Sequence, residues 1–372
     1  MKIIVKTLFG AEELLARELS RLGAVNINAM RRALTCEADL RTLYDINLRS
    51  RMALRVLVPV VECCDAQTDE DLYAAIYDFP WEDMIDPRKT IMIDHMSFSS
   101  TFPNSQFLAY RTKDAIVDRI RDKTGLRPSV DTQQPDILLN VHATDDDICV
   151  SLDASGASLN KRGYRSQVLP TATNEVLAAA LVEMSGWTEG DTLIDPMCGS
   201  GTVCIEAAMM ARHIAPGILR GDAFGFTQWL NYDAAMWHEL REAARSEETK
   251  VRLNIIGSDV DTEALDVAKL ATLDMGLSPD VRIVRRPLRE AQRTTAEGIV
   301  ITCPPQSEEE TRRNLPDLYK EVAYYLSHNY PDHDAWLYST NLKALRNIGY
   351  RTQEKYRIYN GSKEGEFCMY PF

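Results

Sequence analysis

From residue 174 onward the chain alternates helical stretches with short runs of branched apolar residues, and this alternation leaves few architectures open. The spacing predicts helices over 174–186, 201–214 and 263–275 and another after Pro316. Between them, strands are expected over 192–195, 254–259, 281–285, 298–302 and 335–339. Strands that alternate with helices bury themselves as a parallel sheet covered on both faces. A Rossmann-like α/β domain is therefore expected over 161–372.

The first 160 residues read differently. Leu14, Leu15, Leu19 and Leu22 recur at helical spacing until Gly23. Further helices are expected over 70–79 and 105–124, with strands over 54–61, 90–95, 137–142 and 148–152. On the helix over 105–124, Ala115, Ile116 and Ile120 form one face and basic residues another. The turn-rich Asp153-Ala-Ser-Gly-Ala-Ser158 breaks the pattern, which puts a domain boundary near residue 160.

A chain of 372 residues is long enough for two or three domains. It is 45% hydrophobic and 26% charged, with no apolar run near the roughly 20 residues a bilayer span needs. No signal-peptide pattern opens the sequence, so the cytoplasm is the expected compartment. Eight cysteines lie scattered without CxxC spacing or a Cys/His cluster, so reduced thiols and no metal site are expected. A formal net charge of −13 is unfavourable for contact with phosphates. Any RNA site must be local.

Leu193-Ile-Asp195-Pro-Met-Cys-Gly199-Ser-Gly201-Thr-Val-Cys-Ile-Glu206-Ala-Ala reads as strand, glycine turn, helix. Glycines let the backbone approach a ligand, and the helix start offers unpaired N–H groups, so a nucleotide-like ligand is expected there. The loop has neither the Gly-Lys-Ser/Thr ending of a P-loop nor GxGxxG. The competing reading is a turn with a structural role only.

The run resembles the S-adenosylmethionine loop of class I methyltransferases, in the DPxCGSGTxxIEAA form of RNA guanine-N2 methyltransferases that carry an N-terminal THUMP domain. The resemblance extends to Phe9-Gly-Ala-Glu-Glu-Leu-Leu, Glu18-Leu, Asn47-Leu-Arg-Ser-Arg51 and Arg55-Val, similar to the family's ferredoxin-like start. Lys113-Asp-Ala-Ile-Val-Asp118 and Arg127-Pro-Ser-Val-Asp131 are similar to its THUMP core. Leu152-Asp-Ala-Ser-Gly156 through Lys161-Arg-Gly-Tyr-Arg165 resembles the family's joining segment, and Tyr359-Asn-Gly361 its ending. The resemblance implies a ferredoxin-like unit over 1–60, a THUMP RNA-binding domain over 61–160 and a methyltransferase domain over 161–372. It also implies S-adenosylmethionine as cofactor, held by Asp195, Pro196, Cys198, Gly199, Ser200, Gly201 and Thr202. Structured RNA, ribosomal or transfer, is the implied partner. Monomer and homodimer both stay open.

Two basic patches could meet that RNA. One is Lys113, Arg119, Arg121, Lys123 and Arg127, whose other reading is a solvated face paired with the interleaved Asp114, Asp118 and Asp122. The second is Lys161, Arg162 and Arg165, where Tyr164 could stack on a base. The strand-end carboxylate of Asp259 is expected to hold the cofactor ribose, with Asp261 the better candidate for a helix cap.

The sequence departs from the family twice. Near residue 287, where a carboxylate meets the adenine amine, it reads Val284-Arg-Arg-Pro287. Where the family has Asn-Pro-Pro-Tyr or Asp-Pro-Pro-Phe, it reads Thr302-Cys303-Pro304-Pro305-Gln306. In the family the Asn oxygen and a Pro carbonyl accept from the target amine while the ring stacks on the flipped base. Cys303 is a weak acceptor and Gln306 has no aromatic face. Cys303 as a covalent nucleophile is a further reading, against that of an inert buried thiol. Three functions follow: an RNA methyltransferase with an altered base motif, a non-catalytic RNA-binding or ribosome-assembly protein on the same fold, and a DNA adenine-N6 methyltransferase, against which the THUMP-like half argues.

Overall fold

The computed structural model describes residues 1–372 apart from 65, 146, 168, 292–297 and 312. The first half is one eight-stranded sheet. Its strands are β1 (Lys2–Lys6), β2 (Val25–Met30), β3 (Ala33–Glu37), β4 (Arg55–Cys63), β5 (Thr90–Phe98), β6 (Ser129–Val130), β7 (Ile137–Thr144) and β8 (Asp147–Asp153). They lie in the order β2-β3-β1-β4-β8-β7-β5-β6. The expected division at residue 60 falls inside β4, which pairs with β1 on one side and with β8 on the other.

Four helices accompany this sheet, and local chemistry sets their ends. Helix α1 (Glu12–Arg21) buries Leu14, Leu15 and Leu19. Asp39 caps α2 (Leu40–Arg49), and Thr68 with Asp71 forms a capping box on α3 (Asp69–Asp78). Asn104 starts α4 (Ser105–Thr124), and Gly125, at φ +74°, stops it as only a left-handed residue does cheaply.

The second half places its strands in the order β11-β10-β9-β12-β13-β15-β14. These are β9 (Thr192–Asp195), β10 (Ile255–Asp259), β11 (Val281–Arg285), β12 (Gly298–Thr302), β13 (His333–Ser339), β14 (Glu354–Asn360) and β15 (Lys363–Pro371). The first five run parallel, and β15 joins β13 antiparallel. Helices α5 (Glu175–Met184), α6 (Thr202–Ala211), α7 (Ala234–Ser246), α8 (Thr262–Asp274), α9 (Glu308–Thr311), α10 (Leu315–Asn329) and α11 (Leu342–Leu345) complete the domain. The chain winds outward from β9 to β11, then returns to β12 on the other side of β9. That reversal opens a crevice at the carboxyl ends of β9 and β12. Helix α7 and the β14–β15 hairpin were not among the expected elements.

Candidate cofactor and substrate cleft

At this reversal lies a cleft of about 690 Å³, lined by Thr171–Thr173, the Asp195–Ser200 loop, Asp259–Asp261, Arg286–Arg289 and Cys303–Gln306. The loop between β9 and α6 turns on Gly199 (φ +51°) and Gly201 (φ +73°), both left-handed. A Cβ on Gly201 would meet the Ala268 Cβ at 3.0 Å, whereas one on Gly199 would meet nothing within 4 Å. Open space at Gly199 is what close approach of a ligand to backbone requires. Ser200 lines the cleft, but its side chain is buried, and among the described residues its Oγ has no partner.

Two carboxylates flank the loop. Asp195 accepts from the Thr302 hydroxyl at 2.9 Å and from Met197 N at 3.2 Å. Burial disfavours its charge and pushes the carboxyl up to about 7. Asp259 accepts from Gly199 N at 2.8 Å, Val260 N at 2.7 Å and Asp261 N at 3.0 Å, so it fixes the loop as well as facing the cleft. Asp261 caps α8 through Glu263 N and Ala264 N at 3.0 and 3.3 Å, the role its position suggested.

The loop after β12 is built differently. Thr302 is fully buried, and Pro304 is buried behind Cys303. Burial drives the Cys303 thiol far above its ordinary range, and its hydrogen bond with the Thr173 side chain offsets this only in part. The protonated thiol lacks the nucleophilicity that covalent catalysis needs. Gln306 does not point an open amide at the cleft. Its Nε2 donates to Pro304 O at 2.6 Å, and its Oε1 accepts from Thr340 N at 2.6 Å and Thr340 Oγ1 at 3.1 Å. Tyr319 donates to Pro305 O at 3.1 Å. No local spacing signals this latch, because Thr340 lies 34 residues away. Nor did it point to Tyr325, Tyr338, Asn360 and Lys363, which also line the cleft.

The second basic patch is corrected by the structure. Lys161 is exposed, but Arg162 and Tyr164 are only 2% and 3% exposed. Arg162 pairs with the fully buried Glu206 at 3.4 Å and donates to Leu159 O and Arg51 O at 2.9 and 2.7 Å. Tyr164 donates to the same Glu206 carboxylate at 3.2 Å. Arg165 pairs with Glu175 at 3.3 Å and donates to Thr173 O at 3.0 Å and to the Thr202 hydroxyl. Burying Glu206 on α6 demands cations around it, so Arg162, Tyr164 and Arg165 are committed to partners beneath the glycine loop, and of the patch Lys161 stays exposed.

On α4 most of the basic face is already spoken for. Arg119 forks onto Glu82, Lys113 pairs with Asp114 at 2.7 Å and Arg121 with Asp118 at 3.0 Å, while Arg127 stands exposed. The solvated, self-paired reading describes this helix better.

A parallel α/β sheet with a glycine loop, a strand-end carboxylate and a cleft at the reversal point is the class I, S-adenosylmethionine-dependent methyltransferase architecture. Residues 162–367 match the RMKL-like methyltransferase domain, 66–153 the THUMP domain and 2–57 the RlmL ferredoxin-like domain. The chain belongs to the RMKL-like methyltransferase family.

It is 36% identical over 367 residues to the ribosomal RNA large subunit methyltransferase K/L of Syntrophotalea carbinolica, covering 95% of this chain and 51% of that protein. A provisionally named RNA methyltransferase of Synechocystis is 34% identical over 356 residues, covering 95% and 92%. The chain thus spans about half the length of the K/L relatives. A solved structure described as a possible methylase from Clostridium difficile 630 superposes with TM-score 0.89 at 28% identity, covering 100% and 97%. A provisionally assigned methyltransferase solved with SAH superposes with TM-score 0.87 at 25% identity, covering 99% and 97%.

The cleft residues fit S-adenosylmethionine at two of its three parts. The free space at Gly199 and the start of α6 suit the amino-acid end, and Asp259 the ribose. At the adenine end Arg286, Pro287 and Leu288 line the cleft and bring no carboxylate.

Proposed function

We propose that the chain transfers a methyl group from S-adenosylmethionine to an exocyclic amine in structured RNA, with guanine N2 of ribosomal RNA or tRNA as target, in the cytoplasm. One observation carries this reading. The hydrogen bond from Thr302 Oγ1 to Asp195 ties the end of the base-side strand to the end of the cofactor-side strand, so that both loops face one cleft. Asp195, Pro196, Cys198, Gly199, Ser200, Gly201 and Thr202 hold the amino-acid end of the cofactor and Asp259 its ribose. When bound, the cofactor supplies an electrophilic methyl. Thr302, Cys303, Pro304, Pro305 and Gln306 form the wall against which the base is held, and their task is alignment. The names of the K/L relatives and the THUMP match support RNA as substrate.

A second reading is favoured by one contact. Gln306 Nε2 sits on Pro304 O, an acceptor the target amine would use, which suits a protein that binds cofactor and RNA without turnover. Calorimetric titration with S-adenosylmethionine, with Asp195→Ala as control, joined to labelled methyl transfer onto ribosomal RNA and tRNA, separates the readings. Binding with transfer supports the enzyme, and binding without transfer supports the non-catalytic protein. Absence of binding up to about millimolar cofactor, an affinity weaker than roughly −4 kcal/mol, overturns the enzyme reading.

A further inference from the structure

The hairpin of β14 and β15 reaches over the cleft. The last pairing of β15 with β13 sets Glu366 opposite Ser339, where β13 ends, yet β14 and β15 stay paired as far as Asn360 opposite Lys363. The tip therefore runs three residues past the carboxyl ends of the parallel strands, roughly 10 Å at about 3.3 Å per residue. Asn360 and Lys363 line the cleft there, on the side of the loop after β12 and away from Asp259 and Arg286 at the ends of β10 and β11. The hairpin's other cations are matched, Lys355 with Glu366 at 2.9 Å and Arg357 with Glu364 at 2.6 Å. Lys363 is exposed and makes no ion pair among the described residues. An ammonium at the mouth of a cleft that must admit a flipped nucleotide is matched by the phosphate that enters with it.

A distant part of the chain holds this tip. Phe9 O accepts from Tyr359 N at 3.0 Å, and the two rings meet edge to face with centroids 4.8 Å apart. Gly10, at φ +93°, lies so close that a Cβ on it would overlap Arg357 O and stand 3.0 Å from Ile358 Cα. Glycine alone fits that contact. β14 is an edge strand, and a covered edge is guarded against pairing with other chains. That need would be met anywhere along the strand, but the contact falls at Arg357–Tyr359, next to the tip, while Glu354, Lys355 and Tyr356 stay exposed. We propose that Phe9 and Gly10 are positioning residues that fix the hairpin tip over the cleft, and that Lys363 on this tip meets a phosphate of the target nucleotide. The proposal rests on RNA being the substrate.

The test is fluorescence anisotropy of the full chain with a labelled fragment of large-subunit ribosomal RNA, between about 50 and 200 mM salt. One phosphate contact contributes roughly 0.7 to 0.9 to the slope of log affinity against log salt. Lys363→Gln is expected to lower the slope by that amount, Lys363→Arg to keep it, and Lys355→Gln, at the foot of the hairpin, to leave it at wild type, all with cofactor affinity unchanged. Gly10→Ala removes no charge, yet it should lower the slope as Lys363→Gln does, because the tip is displaced. Joined to Lys363→Gln, it should lower the slope no further. Phe9→Leu keeps the backbone bond to Tyr359 and should lower the slope less, and it stands in if Gly10→Ala does not fold. A slope unchanged by Lys363→Gln overturns the phosphate contact. A slope that falls for Lys363→Gln but holds in every folded variant of Phe9 and Gly10 overturns the positioning role, and in both cases RNA as substrate survives. Failure of the wild type to bind RNA at all is a different result, which removes the RNA reading and this proposal together.

Discussion

Two loops at the same end of one sheet treat their polar groups in opposite ways. The loop after β9 leaves Ser200 Oγ unpartnered and holds two glycines left-handed, whereas the loop after β12 spends its groups on itself, with Gln306 on Pro304 O and Thr340 and with Tyr319 on Pro305 O. A buried polar atom without a partner costs free energy, so the first loop is stable only because something else holds it. The second loop needs no ligand to be satisfied, and a base amine entering there must compete with Gln306.

The largest effect expected from this contrast lies beneath the open loop. Arg162→Met leaves Glu206 buried without its cation, and stability should fall by about 3 to 5 kcal/mol. Thermal melting of Arg162→Met and of Arg162→Met/Glu206→Leu checks it. The double variant should recover most of the loss, because an apolar pair has no charge to strand. A loss below about 1 kcal/mol in the single variant would mean that the brace beneath α6 is not what holds the open loop.

Next comes the carboxyl within the open loop. Asp195 rises from the ordinary 3.8 to about 7, so between those values the folded state holds a proton that the unfolded state gives up. Stability from this group is therefore present at low pH and lost as pH rises towards 7, on the order of 4 kcal/mol in full. Asp195→Asn should melt higher than wild type at pH 8 and nearly level with it at pH 4. Cofactor affinity should move the other way, rising in the wild type as Asp195 ionises beside a cationic ligand and staying flat in the variant. Parallel melting and titration series over that range decide it, and an unchanged difference in melting temperature between the two pH values would break the argument.

How far the sequence reveals these two loops differs for physical reasons. Asp195, Gly199, Gly201 and Asp259 are legible because what places them is local, a strand end, two left-handed turns and a second strand end, although the two carboxylates then bond to Thr302 and Gly199 far along the chain. The arginines at 162 and 165 mislead because a cation beside a tyrosine looks the same in sequence whether it faces phosphate or a buried carboxylate, here Glu206 for Arg162 and Glu175 for Arg165. The Gln306 latch was hidden for the same reason, since its partner strand end comes from β13. Helix α7 was missed despite its buried Trp237, Leu240 and Ala244, whereas β11 was placed at its observed bounds.

The base-side loop can be pushed towards the open state. Gln306→Tyr removes the donor on Pro304 O and supplies a ring, and base stacking is worth roughly 1 to 3 kcal/mol. With Cys303→Asn added as acceptor, labelled methyl transfer to ribosomal RNA should rise by about five- to 150-fold, with cofactor affinity unchanged. No gain, together with a well-folded variant, would show that the closed loop is not what limits transfer.

The smallest effect sits at the other end of the base-side strands. His333, at the start of β13, is 2% exposed, neither ring nitrogen has a partner among the described residues, and burial lowers its imidazole. A lowered folded value means that stability is complete above the unfolded value of about 6.5 and drains away as pH falls below it, the reverse of Asp195. His333→Leu should therefore match wild type within about 1 kcal/mol at pH 8 and melt higher than it at pH 5. Since Gln306 is anchored on Thr340 at the far end of β13, the variant should leave methyl transfer untouched at neutral pH. A matched loss of transfer would show that the latch depends on how β13 is seated along its whole length, and the two loops would then differ in their reach through the sheet as well as in their chemistry.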